Sequence, residues 1–170
     1  VGHDNGLACY CNGSWQVIAP APEVLFLRVL SIAEFPNNTM LIGTDTHVLQ
    51  IKQGSWRSLS GNNPPSIASA DVMLVDSENT LWIGCGSPTH GGLYRLNGTS
   101  WSMFSEKDGL PHPSVRGITQ AADGSVWVAT GFSRHGGAAR YFAGNFTNLT
   151  MEDGLAGEST RSVYQDSEGR

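Results

Sequence analysis

A pattern that returns at a fixed spacing constrains this chain more than any single motif. Asp123-Gly124-Ser125-Val126-Trp127-Val128-Ala129-Thr130 reads as a tight turn followed by a strand carrying one tryptophan. A turn-forming pair beside apolar strand residues is a strong hairpin signal. The arrangement recurs at Glu78-Asn79-Thr80-Leu81-Trp82-Ile83-Gly84-Cys85 and at Asn37-Asn38-Thr39-Met40-Leu41-Ile42-Gly43-Thr44, and starts again at Glu168-Gly169-Arg170. Leu41, Trp82 and Trp127 stand 41 and 45 residues apart. A second anchor, the aromatic that follows the next Gly-containing turn, falls at Trp15, Trp56, Trp101 and Phe146, with spacings of 41, 45 and 45. Two anchors with one period imply stacked or radial units.

Each unit holds four short apolar segments. In the fourth they are Val115-Arg116-Gly117-Ile118, Val126-Trp127-Val128-Ala129, Ala138-Ala139-Arg140-Tyr141-Phe142 and Phe146-Thr147-Asn148-Leu149, separated by Asp123-Gly124, Gly136-Gly137 and Gly144-Asn145. None reaches the ~10–12 residues that favour a helix. Four antiparallel strands in such a period describe a β-propeller blade, whose two faces are hidden by its neighbours in a radial array. The expected fold is therefore all-β: one β-propeller region of four-stranded antiparallel blades, with about four blades' worth of chain. Residues 28–59, 70–104 and 115–149 read as complete blades and 1–18 as a partial one. Residues 159–170 read as the first strand of another, over Ser159-Thr160-Arg161-Ser162-Val163-Tyr164. A segment of a larger propeller is expected; the alternative is a four-bladed ring closed by pairing its termini.

Composition agrees and excludes several classes. With 170 residues, 39% hydrophobic and 15% charged, the chain can bury a core and is not disordered. No apolar run approaches the ~18 residues of a membrane-spanning helix. A net charge of −5, with ten dispersed Lys and Arg, speaks against nucleic acid. Cys9, Cys11 and Cys85 match no zinc spacing and read as small buried residues. The glycosylation-type triplets at Asn12, Asn37, Asn97, Asn145 and Asn148 fall at turns, where Asn is favoured for backbone reasons. Phosphate loops, Gly-x-Ser-x-Gly elbows and His-Glu-x-x-His helices are absent from the sequence, so no catalytic residue and no cofactor is assigned.

The string Asp108-Gly109-Leu110-Pro111, Ser114-Val115-Arg116-Gly117-Ile118, Asp123 to Thr130, Gly136-Gly137 and Arg140-Tyr141 resembles the two-component regulator propeller repeat. Asp76-Ser77-Glu78-Asn79-Thr80-Leu81-Trp82-Ile83-Gly84 with Gly91-Gly92-Leu93-Tyr94-Arg95 matches it too, as do Asp153-Gly154-Leu155 and Asp166-Ser167-Glu168-Gly169. Blade 28–59 departs, with Leu41 for the tryptophan and Phe35 for the aspartate. The resemblance implies a non-enzymatic, ligand-sensing propeller in the periplasmic or extracellular input region of a bacterial two-component or related signalling receptor. Its implied partners are a small ligand or glycan and a signalling output domain. Two alternatives are a streptogramin-lyase-like propeller enzyme using a histidine-bearing rim and a small closed propeller acting as a protein-interaction platform.

In a propeller, the loops between strands two and three and those between blades lie on one face, and loops on a rigid scaffold carry function. The first kind hold His3, His47, His90 and the pair Arg134-His135; the second kind holds His112. These six form the expected ligand-binding rim. A metal needs at least three ligands within ~2.1 Å of one ion, and loops on neighbouring blades diverge, so no metal is assigned. Asp71, Arg116 and Arg161 occupy one slot at the start of strand one and are expected to line the channel, either selecting an anionic ligand or pairing between blades. Arg95 and Arg140, also equivalent, are expected to brace neighbouring sheets.

Overall fold

The computed structural model describes residues 1–4, 6–18, 28–59 and 65–170. Among these, β1 (Gly2–His3), β2 (Gly6–Cys11) and β3 (Ser14–Ile18) form a three-stranded antiparallel sheet. Three four-stranded antiparallel sheets follow, each in simple up-and-down order. They comprise β4 (Val29–Phe35), β5 (Thr39–Thr44), β6 (Val48–Lys52) and β7 (Ser55–Ser58); β8 (Val72–Val75), β9 (Leu81–Cys85), β10 (Gly92–Asn97) and β11 (Ser100–Phe104); and β12 (Val115–Gln120), β13 (Val126–Phe132), β14 (His135–Phe142) and β15 (Asn145–Leu149). These sheets are propeller blades, and the first strands of successive blades, β4, β8 and β12, pack side by side.

The turn before the second strand explains the repeated motif. Asn38, Asn79, Gly124 and Gly169 hold φ of 59°, 62°, 83° and 82° at equivalent positions. Only glycine and, at modest cost, asparagine adopt that left-handed conformation readily. Each of these residues closes the turn by donating its N–H to the carbonyl three residues earlier: Phe35, Asp76, Ala121 and Asp166.

The second strand of each blade is buried on both faces. In β9, Leu81, Ile83 and Cys85 face the preceding blade with Leu41, Val48, Met73 and Tyr94, while Trp82 faces the following one with Leu93, Val115, Val126, Val128 and Ala139. A third, smaller core of Leu7, Ile42 and Leu49 joins the first sheet to the second. Excluding water from each such aliphatic side chain contributes about 2 kcal/mol, so stability is distributed over the contacts between blades. The approach is close enough to demand glycine at Gly84, where an added Cβ would overlap Cγ1 of Val115 and stand 2.6 Å from Cγ1 of Val72.

Two expectations change. Residues 159–170 form no strand: Thr160 N–H donates to Thr130 O at 3.1 Å and Ala122 N–H to Gln165 Oε1 at 2.7 Å, which hold the segment beside β12 and β13. A strand requires a ladder partner. In the other blades that partner is the hairpin strand after the turn, and no such strand lies beside 159–170 among the described residues. No ladder joins 159–170 to β1–β3 among the described residues. Cys9 and Cys11 are only half-buried and are joined by a disulfide. Positions i and i+2 of a strand point the same way, and here their Cα atoms lie 5.9 Å apart, within bridging distance. Cys85 is free and buried.

Candidate functional site

The blade-to-blade loops are anchored by one device used twice. Ser105 N–H and Oγ donate to Asp108 Oδ2 at 2.9 and 2.8 Å, and Thr150 N–H and Oγ1 donate to Asp153 Oδ2 at 2.9 and 3.2 Å. These caps hold the short 3-10 helices Glu106–Asp108 and Met151–Asp153, and Gly109 and Gly154 end them at φ of 105° and 103°. Leu110 then drops into the core at 3% exposure. The Asp-Gly-Leu strings are therefore loop anchors, which place residues 111–114 and 155–159 on the face expected to carry function.

On that face the turn from β13 to β14 is tight. Phe132 pairs with His135, leaving Ser133 and Arg134 between them at φ of 63° and 148°. The glycine pair that follows is required sterically: at Gly136, with φ of 144°, a Cβ would overlap Thr130 O and Gly131 Cα. The tight turn holds His135 and Arg134 out over the loops.

Residues from three segments meet there in two contiguous cavities. One, of about 530 Å³, is lined by Glu106, Pro111, His112, His135, Gly136, Thr150, Met151, Glu152 and Glu158. The other, of about 580 Å³, is lined by Ser133, Arg134, Met151, Gly157, Glu158, Ser159 and Arg161. Met151 and Glu158 belong to both, so the two form one cleft. It is acidic with two histidines at one end and bears two arginines at the other.

Electrostatics within the cleft are specific. His135 Nδ1 lies 3.9 Å from Glu158 Oε2, both well exposed, a weak contact when the ring is protonated. His112 Nδ1 accepts from Ser114 N–H at 3.0 Å, so the neutral ring carries its proton on Nε2. Burial holds the His112 pKa below the ordinary histidine value. Glu106 opposes that shift, while His135 and Arg116 add to it. Arg116 itself sits in the β-bulge where the β12–β13 register shifts between Val115 and Gly117, and is exposed. Bulges re-aim side chains at sheet edges and beside sites.

The structure thus brings together His112, Arg134, His135 and Arg161, with Arg116 within electrostatic range. It does not bring in the others. His47 contacts Thr46 Oγ1 at 2.8 Å and lines a separate cavity with Pro65, Ile67 and Trp101. His90 is exposed against Thr89 Oγ1 at 2.9 Å. His3 lies in β1, three blades away. Asp71 is engaged in its own blade, accepting from Gly86 N–H at 2.8 Å and from Ser69 Oγ. Among the described residues no group of three or more His, Cys, Asp or Glu could hold a metal ion. Glu158 and Met151 were not foreseen, because nothing local in the sequence signals that residues 150–158 fold against 111–112.

Away from the cleft, Arg95 spans two blades, with its guanidinium over the rings of Trp82, Phe104 and Tyr141 and Nη1 donating to Tyr141 Oη at 2.8 Å. Arg140 does not brace a neighbouring sheet. It pairs within its own blade with Asp123 at 2.7 Å and covers Phe142. The Ser125 hydroxyl and N–H, with Arg140, hold the Asp123 pKa down at about 2.

Residues 109–132 match the family described as two component regulator propeller. No curated protein matches the chain in sequence. Among solved structures it is similar to the extracellular domain of a protein described as a one component system of B. thetaiotaomicron. That likeness has a TM-score of 0.78 and 21% identity, covering 98% of this chain and 22% of that one. The extracellular domain of a protein described as a hybrid two component system of the same organism gives 0.68 and 20%, over 83% and 19%. Virginiamycin B lyase from Staphylococcus aureus gives 0.64 and 17%, over 86% and 48%. At these identities the likeness establishes the propeller fold. The chain spans about a fifth of the length of the two extracellular domains. No helix among the described residues is long and apolar enough to cross a membrane.

Proposed function

We propose that this chain is a ligand-binding stretch of a propeller in the periplasmic or extracellular input region of a bacterial signalling receptor, and that the cleft around Met151 and Glu158 contacts the ligand. The observation that carries the reading is the convergence of His112, Arg134, His135 and Arg161, from three separate segments, on one cleft. The propeller repeat at 109–132 and the likeness to extracellular domains of signalling systems support the setting. Rigid blades suit such a role. Occupancy of a rim cleft can shift how the whole body docks on an output domain or partner subunit without unfolding the scaffold.

The cleft can be blocked without disturbing the blades. Gly157 lines it, and a Cβ added there meets nothing within 4 Å. A panel of small polar compounds and oligosaccharides, screened by thermal melting, should include ligands that raise the melting temperature of the native chain and do nothing for Gly157→Trp. Ligands that stabilise both equally would show that the cleft is not where binding occurs.

A further inference from the structure

The two halves of the cleft differ in charge, and the arginine half lacks a partner. Arg28, Arg140 and Arg170 each meet a carboxylate, on Asp4, Asp123 and Asp166, and Arg95 rests on aromatic rings and Tyr141. Arg57, Arg116, Arg134 and Arg161 enter no ion pair among the described residues, and of these Arg134 and Arg161 line one cavity. Glu158 lines the same cavity, with Oε2 3.9 Å from His135 Nδ1, and forms no ion pair with either arginine. In a chain with a net charge of −5, two exposed arginines lining one cavity with the hydroxyl-bearing Ser133 and Ser159 form an arrangement that an anion would complete. Guanidinium forks match carboxylate and sulfate oxygens in geometry as well as charge. The opposite end carries Glu106 and Glu152, which repel a second negative group and so set polarity.

We propose that the arginine end of the cleft is an anion subsite in which Arg134 and Arg161 hold one carboxylate or sulfate group of a ligand whose remainder, uncharged or cationic, extends toward Glu106 and Glu152. This rests on the reading that the cleft binds ligand, and adds the ligand's charge and orientation.

Glucuronate, glucose and glucosamine carry −1, 0 and +1 charge on one ring framework and serve as probes. By calorimetric titration at about 10 mM, glucuronate should bind at least ~10-fold more tightly than either other sugar. Arg134→Gln and Arg161→Gln should each weaken it by about tenfold or more, as expected for loss of a charge-assisted contact. Neither variant should melt below the native chain without ligand, because neither breaks an ion pair. No binding of glucuronate, equal binding of the three sugars, or a lowered melting temperature in both variants, the mark of a structural role, would overturn the proposal. The two levels fail differently. A neutral ligand lost in Gly157→Trp but kept in both arginine variants refutes the anion subsite alone, whereas glucuronate binding unaffected by Gly157→Trp refutes the cleft.

Discussion

Replacing Asp76 with alanine tests how a blade is held together. Its Oδ1 accepts the N–H groups of Glu78 and Thr80 at 3.0 and 2.8 Å, and Oδ2 accepts Trp82 Nε1 at 2.8 Å. Glu78 is exposed, so its N–H turns to water at little cost. Thr80 and Trp82 are 4% and 3% exposed, so their donors are largely screened from water. Each buried donor left unpaired costs about 1–3 kcal/mol, so with two of them Asp76→Ala should lose about 2–6 kcal/mol. At this chain length that corresponds to roughly 4–24 °C in melting temperature. Urea titration followed by tryptophan fluorescence should show a lower midpoint with an unchanged slope. Trp82→Phe removes the indole donor, so the double variant should lose about 1–2 kcal/mol less than the two single losses together. The equivalent slot in the last blade holds Ala121, and its tryptophan, Trp127, is only half-buried. Water can serve that indole, so Ala121→Asp should add less than about 1 kcal/mol. A cost below about 1 kcal/mol for Asp76→Ala, or no coupling to Trp82→Phe, would refute the reasoning.

Gly84→Ala should cost about 1–3 kcal/mol by overpacking against Val115 and Val72, with part of the loss recovered on adding Val115→Ala; a neutral Gly84→Ala in urea titration would contradict the close approach of these blades. His112 has a folded-state pKa below its unfolded value, so the unfolded chain binds more protons between the two. Stability should therefore be full above about pH 6.5 and fall as pH drops from there through the folded pKa. The urea midpoint should decline between pH 7 and pH 5 by less in His112→Gln than in the native chain, and identical declines would exclude His112 as the source.

The architecture was legible because its determinants are local. A left-handed residue at each turn, a strand buried on both faces and a glycine where blades approach are all read within ten residues, and they recur. What escaped detection depends on contacts between segments distant in sequence. The histidines shared loop positions, yet among the described residues His112 and His135 alone share a cleft, which residues 150–152 and Glu158 help to line. Trp127, the counterpart of Trp82, lines a cavity with Thr160, Val163 and Tyr164 of the strand-less segment and stays half-buried. The aspartate in the turn motif was visible, whereas its bond to the indole was not, since strand alternation does not say which way a ring turns.

Duplication also separates scaffold from site. Asp76 and Asp166 fill one slot, and each is consumed by its turn: Asp76 Oδ1 accepts from Glu78 and Thr80, and Asp166 Oδ1 from Glu168 and Arg170 N–H, at 2.9 Å both, which lowers the Asp166 pKa. The same slot holds Phe35 and Ala121 in the other two blades, so the aspartate, where present, serves its own turn. The bulge slot behaves otherwise. It holds Leu30, Asp71, Arg116 and Arg161 in turn, spaced 41, 45 and 45. Only Asp71 has its charge taken up locally, by Gly86 N–H and Ser69. Arg116 and Arg161 are exposed and enter no ion pair among the described residues. The repeat geometry fixes where such a side chain is presented but not which one it is. Variation there changes the charge that the blade presents, and neither Arg116 nor Arg161 has an ion pair to lose. Specificity for a ligand can therefore diverge at Arg116 and Arg161 while the blades stay the same.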